Sequence, residues 1–399
     1  MKAIIYSLLI TTCVVSFACK KKSEDEPPQP QPDSPNVPAD TTMITISADD
    51  PLIQYFGRID FSNPKAPSYA YPGVSIRAKF QGPAIDVIIK DYGTGTASTT
   101  NFYQVIIDGV VQSTLRVNST DTLYNISRTL SDSEHTIELF KRTEASVGKS
   151  SFKGLRIRKN KSLLPLPPKP TRKIEFIGNS ITCGYGNEVS IPAPPSGNPN
   201  TGFNSVNENN YKAWGAITAR ALNAQYMCIA YSGRGLYRNN TGSTSQTMPL
   251  IYDRIFPDQA SPLWTYSNYT PDVIVIGLGT NDFAPEAWAT PNMLDSASFV
   301  NTYIAFIQTL RTHYPDAHII CVVSNAVSDY WPVGMKVRTR FKNYIQAVDT
   351  YFSADAKVHQ LELPTQLPPY GEDWHPSAAE HQNMANLLIP FIKNITGWQ

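Results

Sequence analysis

The stretch IEFIGNSITCGYG, residues 174–186, passes from an apolar, largely β-branched run directly into a glycine and two small polar residues. This pattern predicts a buried strand that ends at Gly178 and turns at once into a helix or loop. The side chain that follows such a turn stands at the edge of the sheet, so Ser180 is a candidate nucleophile. The alternative is that Asn179 and Ser180 only cap a helix.

Short strands of the buried type alternate with helical stretches from residue 171 to residue 399. The predicted strands are KIEFIG, AQYMCIAYSG, DVIVIGLGTND, AHIICVVSN and KVHQLELP. Alternation of this kind predicts an α/β fold in which helices cover both faces of a doubly wound parallel sheet. The functional site of such a sheet forms beyond the carboxyl ends of its strands. The loop-rich stretches 187–208 and 256–271 are expected to wall a cleft there.

Residues 43–160 are predicted to be all β. Their strand-length apolar or alternating pieces include GVSIRAKF, AIDVIIKDY, NFYQVIIDGVVQSTLRV, HTIELFKR and FKGLRIRK. Asp108-Gly109 between two such runs is a strong hairpin signal. Strands without intervening helices predict a sandwich or barrel. The proline-rich segment 161–170 then predicts a stiff linker to the second domain.

The first residues of the chain have the pattern of a bacterial lipoprotein signal. Lys2 precedes an apolar stretch from residue 3 to 15, which is shorter than the ~20 residues that span a bilayer. We expect a signal peptide over 1–18, lipidation at Cys19 and a disordered tether over 19–42. The protein would then be anchored by lipid to the cell envelope, at the outer membrane. An ordinary secretory signal with a chance cysteine is the alternative.

Composition limits the remaining function classes. The 399 residues carry 34 basic and 33 acidic side chains, and this balance gives no electrostatic footprint for nucleic acid. Cys183, Cys228 and Cys321 lie outside the N-terminal segment at wide spacing, without a zinc pattern, so no metal and no cofactor are expected. Cys228 and Cys321 fit small buried hydrophobes on strands. Cys183 is a weak rival to Ser180 as nucleophile.

Polar residues follow several of the predicted strands at their carboxyl ends. Ser180 follows the first, Ser232 and Gly233 follow the second, Asn281 follows the third, and His375 lies in the chain after the fifth. Taken singly, each has a bland explanation as a turn or helix start. An imidazole is suited to take the proton of a serine hydroxyl at neutral pH. Of the six histidines, only His375 lies in a loop after a strand and just before a proline.

In this order, Ser180, Gly233, Asn281 and His375 resemble the four signature residues of the SGNH hydrolases. The segments FGRIDF, YPGVSIRAKFQG and GNSITCGYG extend the resemblance to the carbohydrate esterases of family two over nearly the whole mature chain. One departure is Asn179, where that motif usually has Asp. The resemblance implies a flavodoxin-like hydrolase domain preceded by a small jelly-roll-like sandwich.

The activity that this resemblance implies is a serine esterase that removes O-acetyl groups from xylan, glucomannan or their oligosaccharides. Backbone N–H groups of Ser180 and Gly233 and the side-chain amide of Asn281 would stabilise the oxyanion. Two alternatives remain: an esterase or lipase for other acyl esters, and a surface carbohydrate-binding lipoprotein with an inactive hydrolase domain. The β domain is expected to buttress the hydrolase domain rather than to bind carbohydrate.

The partner of the catalytic imidazole is ambiguous. Glu372 lies three residues before His375 and Asp373 two before it, with Trp374 between. In an extended segment, residues two apart point to the same side, so Asp373 is the predicted partner of the imidazole. A backbone carbonyl in that role, or a merely capping or solvated Asp373, is the alternative.

Three aromatic side chains are candidates for contact with a sugar. Tyr185, Trp264 and Trp374 lie in or beside the predicted site loops. An aromatic ring offers an apolar face to a sugar, but core packing is an equally good explanation of each residue.

Overall fold

The structure is a computed structural model, and it describes residues 42–288 and 292–399. The predicted signal peptide, Cys19 and nearly all of the predicted tether lie outside these residues. Within them, no helix combines the length and apolar character that crossing a membrane requires.

The N-terminal strands form two antiparallel sheets. The first sheet contains β1 (Met43–Ser47), β3 (Ser68–Tyr69), β5 (Ile85–Asp91), β9 (Leu123–Ser127) and β11 (Ser150–Arg158), in the order β1-β11-β5-β9 with β3 paired to β11. The second contains β2 (Gln54–Phe56), β4 (Ser75–Gln81), β6 (Phe102–Ile107), β7 (Val110–Val111), β8 (Leu115–Arg116), β10 (Glu134–Lys141) and β12 (Leu163–Leu164). Its order is β12-β4-β10-β6-β7, with β2 paired to β4 and β8 to β6. The predicted β domain is confirmed.

Alternation of buried side chains explains why these strands form a sandwich. On β4, Ile76, Ala78 and Phe80 are buried, whereas Arg77, Lys79 and Gln81 are only partly covered. The three buried residues share one apolar core with strands of the other sheet. The predicted hairpin is also present, because Asp108 and Gly109 both have positive φ (52° and 77°) between β6 and β7, as a tight two-residue turn requires.

The second half of the chain forms a parallel five-stranded sheet. Its strands are β13 (Lys173–Gly178), β14 (Gln225–Ala230), β15 (Val273–Gly277), β16 (His318–Val323) and β17 (Val358–Glu362), in the order β14-β13-β15-β16-β17. Numbered from β13, this is the 2-1-3-4-5 order of the flavodoxin-like fold. The doubly wound parallel sheet is therefore confirmed.

Helices cover both faces of this sheet. They are α1 (Ser180–Cys183), α2 (Trp214–Ala221), α3 (Met248–Ile251), α4 (Thr280–Phe283), α5 (Pro285–Trp288), α6 (Ser296–His313), α7 (Val337–Tyr351) and α8 (Ala378–Thr396). Short 3₁₀ turns occur at Ala145–Val147, Ser205–Asn207, Asn210–Lys212, Tyr266–Asn268 and Glu372–Trp374. Apolar residues of α6 and α7 pack on one face, and those of α2 and α8 pack on the other. The central strands β13, β15 and β16 are largely apolar because both of their faces are buried.

The two domains are joined through buried polar contacts. The Arg58 guanidinium, from the β domain, lies 3.4 Å from the Glu175 carboxylate on β13, and both side chains are fully buried. Arg142, just after β10, donates to Glu188 Oε1 at 3.2 Å and to the backbone oxygen of Val206 at 3.1 Å in the hydrolase domain. Because a buried charge needs its partner, these contacts fix the β domain against the hydrolase sheet.

Candidate active site

Ser180 lies at the carboxyl end of β13, at the start of α1. Asn179 precedes it and caps the helix, since its side-chain oxygen accepts a hydrogen bond from the Ile181 N–H at 3.1 Å. A β-carbon on Gly178 would lie 2.1 Å from Thr182 Oγ1, so only glycine allows so close a turn. Both explanations of the Asn-Ser pair therefore apply, because the cap is what presents Ser180.

The imidazole of His375 reaches Ser180 directly. Its Nε2 lies 2.8 Å from Ser180 Oγ, and its Nδ1 lies 2.9 Å from the backbone oxygen of Glu372. A carbonyl only accepts, so Nδ1 carries the proton and Nε2 is free to accept one from the serine. Burial lowers the pKa of His375, which keeps the ring neutral at neutral pH. The pair has the geometry of a nucleophile and its general base.

The acceptor on Nδ1 differs from the predicted one. The Asp373 carboxylate instead accepts hydrogen bonds from Tyr185 Oη (2.6 Å) and from the backbone N–H groups of Thr201 (3.0 Å) and Gly202 (2.9 Å). The prediction assumed an extended segment. The chain forms a 3₁₀ turn in which Asp373 has a φ of 47°, so the side chains do not alternate and Nδ1 meets a carbonyl oxygen.

Tyr185 flanks the imidazole. Its ring stacks on His375 with centroids 4.1 Å apart and also packs against Phe203 at 4.7 Å. Burial, and after it the hydrogen bond to Asp373, raises the pKa of the Tyr185 hydroxyl, which therefore remains a donor. The Asp373 carboxylate thus holds the ring that stacks on His375, and its negative charge partly opposes the lowering of the His375 pKa by burial.

The predicted oxyanion donors follow three neighbouring strands whose ends lie at the same level of the sheet. Gly178, Ala230 and Gly277 are paired in register across β14, β13 and β15, and Ser180, Gly233 and Asn281 follow them by two to four residues. Among the described residues, the backbone N–H groups of Ser180 and Gly233 have no acceptor. The donors are therefore available to a ligand.

The local backbone positions two of these donors. Gly233 has a φ of 78°, which favours glycine. The Asn281 Nδ2 donates one N–H to the backbone oxygen of Arg234 at 2.8 Å, and this bond leaves the second N–H of the amide for an oxyanion.

Asp282 is a supporting residue that the sequence analysis missed. Its fully buried carboxylate accepts hydrogen bonds from the N–H groups of Leu236, Tyr237 and Arg238 at 2.7–2.9 Å. Burial raises its pKa to about 6, and the three N–H groups oppose that shift. It ties the loop after Gly233 to the start of α4. Its position next to Asn281 was the available signal.

Cys183 does not have the surroundings of a nucleophile. Its thiol is fully buried, with Sγ 3.8 Å from Glu144 Oε2, and burial together with the neighbouring Glu144 raises its pKa. It therefore stays a thiol. Cys183, Glu144 and Glu208 lie with one potential metal-ligand atom each within 4.8 Å of one another. Burial raises the pKa of both Glu144 and Glu208, and the nearby ammonium of Lys141 opposes that shift.

The three predicted sugar-facing aromatics have different surroundings. Trp264 is only 8% exposed, and its ring lies 5.1 Å from the Arg58 guanidinium in the core between the domains, which fits the alternative of core packing. Trp374 is 44% exposed and packs against Tyr370. The ring of Tyr185 stacks on the His375 imidazole.

Two further exposed aromatics were not predicted. Tyr330 and Trp331 are 87% and 63% exposed in the segment that follows β16 at the site edge of the sheet. The turn residues that flank Tyr330 and Trp331 in the sequence do not indicate which way the two rings face.

Comparisons with known proteins match both halves of the chain. Residues 55–167 match the family model "Carbohydrate esterase 2 N-terminal", and residues 176–383 match the "GDSL-like Lipase/Acylhydrolase family". The chain is 40% identical over 361 residues to the cellulase/esterase CelE of Acetivibrio thermocellus, covering 89% of this chain but only 41% of that protein. It is 30% identical to an acetylxylan esterase / glucomannan deacetylase of Cellvibrio japonicus, covering 84% and 88% of the two chains.

A solved structure resembles most of the chain. It is a family two carbohydrate esterase from Clostridium thermocellum in complex with cellohexaose, with a TM-score of 0.77 and 38% identity. The match covers 87% of this chain and 100% of that one.

Proposed function

The chain belongs to carbohydrate esterase family two, and we propose that it is a serine esterase that removes O-acetyl groups from xylan, glucomannan or their oligosaccharides. The observation that carries the proposal is the 2.8 Å contact between Ser180 Oγ and His375 Nε2. The acetylated polysaccharide is supported by the related acetylxylan esterase / glucomannan deacetylase, whose length the chain nearly spans.

The first half of the reaction forms an acetyl-enzyme. Ser180 Oγ attacks the acetyl carbonyl carbon while His375 Nε2 takes the hydroxyl proton. The negative oxygen of the tetrahedral intermediate accepts hydrogen bonds from the N–H groups of Ser180 and Gly233 and from Asn281 Nδ2. One such donor is worth about 3 kcal/mol in comparable sites. His375 then gives the proton to the sugar oxygen as the ester bond breaks, leaving acetyl on Ser180.

The second half regenerates the enzyme. His375 Nε2 takes a proton from water, whose oxygen attacks the acetyl carbonyl at the same oxyanion hole, and acetate leaves as Ser180 recovers its proton. The Glu372 carbonyl holds the ring and stabilises the imidazolium in both halves. The enzyme therefore works as a Ser-His dyad with a backbone orienting group.

Exposed aromatic rings at the site edge are suited to a sugar chain. Trp374 adjoins His375, while Tyr330 and Trp331 extend from the segment after β16. Their flat apolar faces can stack on pyranose rings, and the relative in complex with cellohexaose supports a β-linked glycan as ligand.

The activity is tested by incubating the purified mature chain with acetylated xylan, acetylated glucomannan and nitrophenyl esters of acetate, butyrate and octanoate. We expect acetate release from the polysaccharides and a strong preference for acetyl over octanoyl esters. Cys183→Ala should keep most of the activity and serves as the control for Ser180→Ala. Hydrolysis of only the long-chain esters would instead indicate a lipase, and binding of glycans without any ester hydrolysis would indicate an inactive carbohydrate-binding protein.

For location, we propose a lipid-anchored protein of the bacterial cell envelope, at the outer membrane. The support is the sequence pattern around Cys19 and the charged, proline-rich segment after it. Wild-type protein should partition into the detergent phase, because several acyl chains hold a protein stably at a membrane. Cys19→Ala removes the residue that would carry the lipid, so this variant should be released or left unprocessed. A wild-type protein that stays wholly soluble would contradict the proposal.

A further inference from the structure

A carboxylate of the β domain reaches the oxyanion hole of the hydrolase domain. Glu144 follows β10 by three residues and is 1% exposed. Its Oε2 accepts a hydrogen bond from the Ser232 backbone N–H at 2.8 Å, and its Oε1 accepts one from the Ser232 hydroxyl. One carboxylate thus binds both donors of the residue that immediately precedes Gly233.

These contacts hold the backbone that carries the Gly233 donor. On the other side of Gly233, its backbone oxygen accepts the Asn240 N–H at 3.0 Å. The backbone on both sides of the Gly233 N–H, the proposed donor to the oxyanion, is therefore held by hydrogen bonds. Without Glu144, the Ser232 end would have no anchor of comparable strength, because a bond to a carboxylate is stronger than one between neutral groups.

Glu144 is itself held in place by its neighbours. Its backbone N–H donates to Glu208 Oε2 at 2.9 Å, and its backbone oxygen accepts from Lys141 Nζ at 3.2 Å. Glu208 belongs to the hydrolase domain and Lys141 to the β domain, and both are fully buried. The backbone of Glu144 is thus held by groups from both domains.

We propose that Glu144 is a positioning residue that fixes the Gly233 N–H of the oxyanion hole, so that the β domain is a working part of the esterase site. The inference rests on the proposed function, because it assumes an oxyanion at Gly233. A donor acts only at the right distance from the developing charge, and a misplacement of about 1 Å lowers rates by up to about 10². Glu144 would accordingly act on the transition state more than on substrate binding.

The test compares Glu144→Ala, Glu144→Gln and Ser232→Ala with wild type in the full mature chain. We expect Glu144→Ala to lower kcat for an acetyl ester by about 10–10², with KM changed by less than threefold. Glu144→Gln, which keeps one acceptor, and Ser232→Ala, which keeps the N–H bond, should each lose less. Adding Ser232→Ala to Glu144→Ala should have little further effect, since both remove one interaction.

A second readout separates positioning from simple destabilisation. Methylboronic acid becomes tetrahedral on an active serine and places an oxygen in the oxyanion hole, so Glu144→Ala should weaken its binding in parallel with kcat. The matched control is Glu138→Gln, because the Glu138 carboxylate accepts hydrogen bonds from Ser75 and Arg77 of the β domain and has no contact with Ser232 among the described residues. It should leave kcat and the boronate affinity unchanged.

Activity is expressed per folded molecule, with the melting temperature measured for every variant. A Glu144→Ala kcat within twofold of wild type, or a lowered kcat with unchanged boronate affinity, would overturn the inference. If Glu144→Ala does not fold, unchanged kcat in both Glu144→Gln and Ser232→Ala would overturn it equally. A wild-type protein without esterase activity would refute the proposed function instead.

Discussion

At the residue scale, the orienting group of His375 decides what kind of catalytic unit this is. Because Nδ1 meets the Glu372 carbonyl, Asp373→Asn should lower kcat by less than about tenfold, whereas loss of a triad carboxylate costs about 10⁴. Asparagine can keep the Oδ1 that accepts from the Thr201 and Gly202 N–H groups, and its Nδ2 can donate to the Tyr185 hydroxyl oxygen instead. Steady-state kinetics on an acetyl ester check this. A loss of 10³ or more in a folded variant would restore Asp373 as a triad member.

Substitution of Asn281 tests the oxyanion hole through the same steady-state kinetics. Asn281→Ala should lower kcat by roughly 10²–10³ and change KM much less, because the amide acts on charge that develops only in the tetrahedral intermediate. Asn281→Asp is a useful companion variant, since it keeps the size but loses the donor. An unchanged kcat in Asn281→Ala would make this residue a structural turn.

The lowered pKa of His375 predicts the pH profile. Burial disfavours the imidazolium, so the base stays neutral to a lower pH than an ordinary histidine with a pKa of about 6.5. Activity should therefore be retained as the pH falls to 6.5 and be lost only as it passes below that value. The acid limb of kcat/KM measures this, and a midpoint above 6.5 would contradict it.

At the element scale, the strand ends could be predicted and the final turn could not. Apolar strands followed by Ser180, Gly233 and Asn281 are a sequence signal, because parallel strands bring their carboxyl ends together. The turn Glu372–Trp374 has positive φ at Asp373 and Trp374. Neither residue is a glycine, so the local sequence does not predict this left-handed backbone conformation. The side chains of this turn therefore do not alternate as they would in an extended segment.

The packing of α8 against α2 predicts an acid-sensitive contact. His381 on α8 is fully buried, accepts the Trp214 N–H through Nδ1 at 3.3 Å, and has a pKa lowered by burial to about 3. In the unfolded chain, His381 binds a proton with an ordinary pKa of about 6.5, whereas in the native state it stays neutral until about pH 3. The free energy of unfolding therefore falls as the pH drops from about 6.5 toward 3. His381→Gln should lose this part of the acid sensitivity. Urea unfolding at pH 8 and pH 4 checks it, and an identical pH dependence in both proteins would contradict it.

At the scale of the whole molecule, the two domains depend on buried polar contacts that no local pattern reveals. Arg58 lies in the segment FGRIDF, where nothing in the sequence indicates its partner Glu175, 117 residues away. Arg58→Met should destabilise the protein by about 3–5 kcal/mol, because it leaves Glu175 buried and unpaired. Adding Glu175→Leu should recover much of that loss. Chemical denaturation measures both, and a stability change below about 1 kcal/mol in Arg58→Met would contradict this role.

The central claim for the molecule is that Ser180 and His375 together hydrolyse acetyl esters of polysaccharides. The most direct measurement is the initial rate of acetate release from acetylated xylan oligosaccharides for wild type, Ser180→Ala and His375→Ala. We predict that either substitution lowers the rate by at least about 10³ while the melting temperature stays close to that of wild type. A rate within tenfold of wild type in either folded variant would contradict the claim.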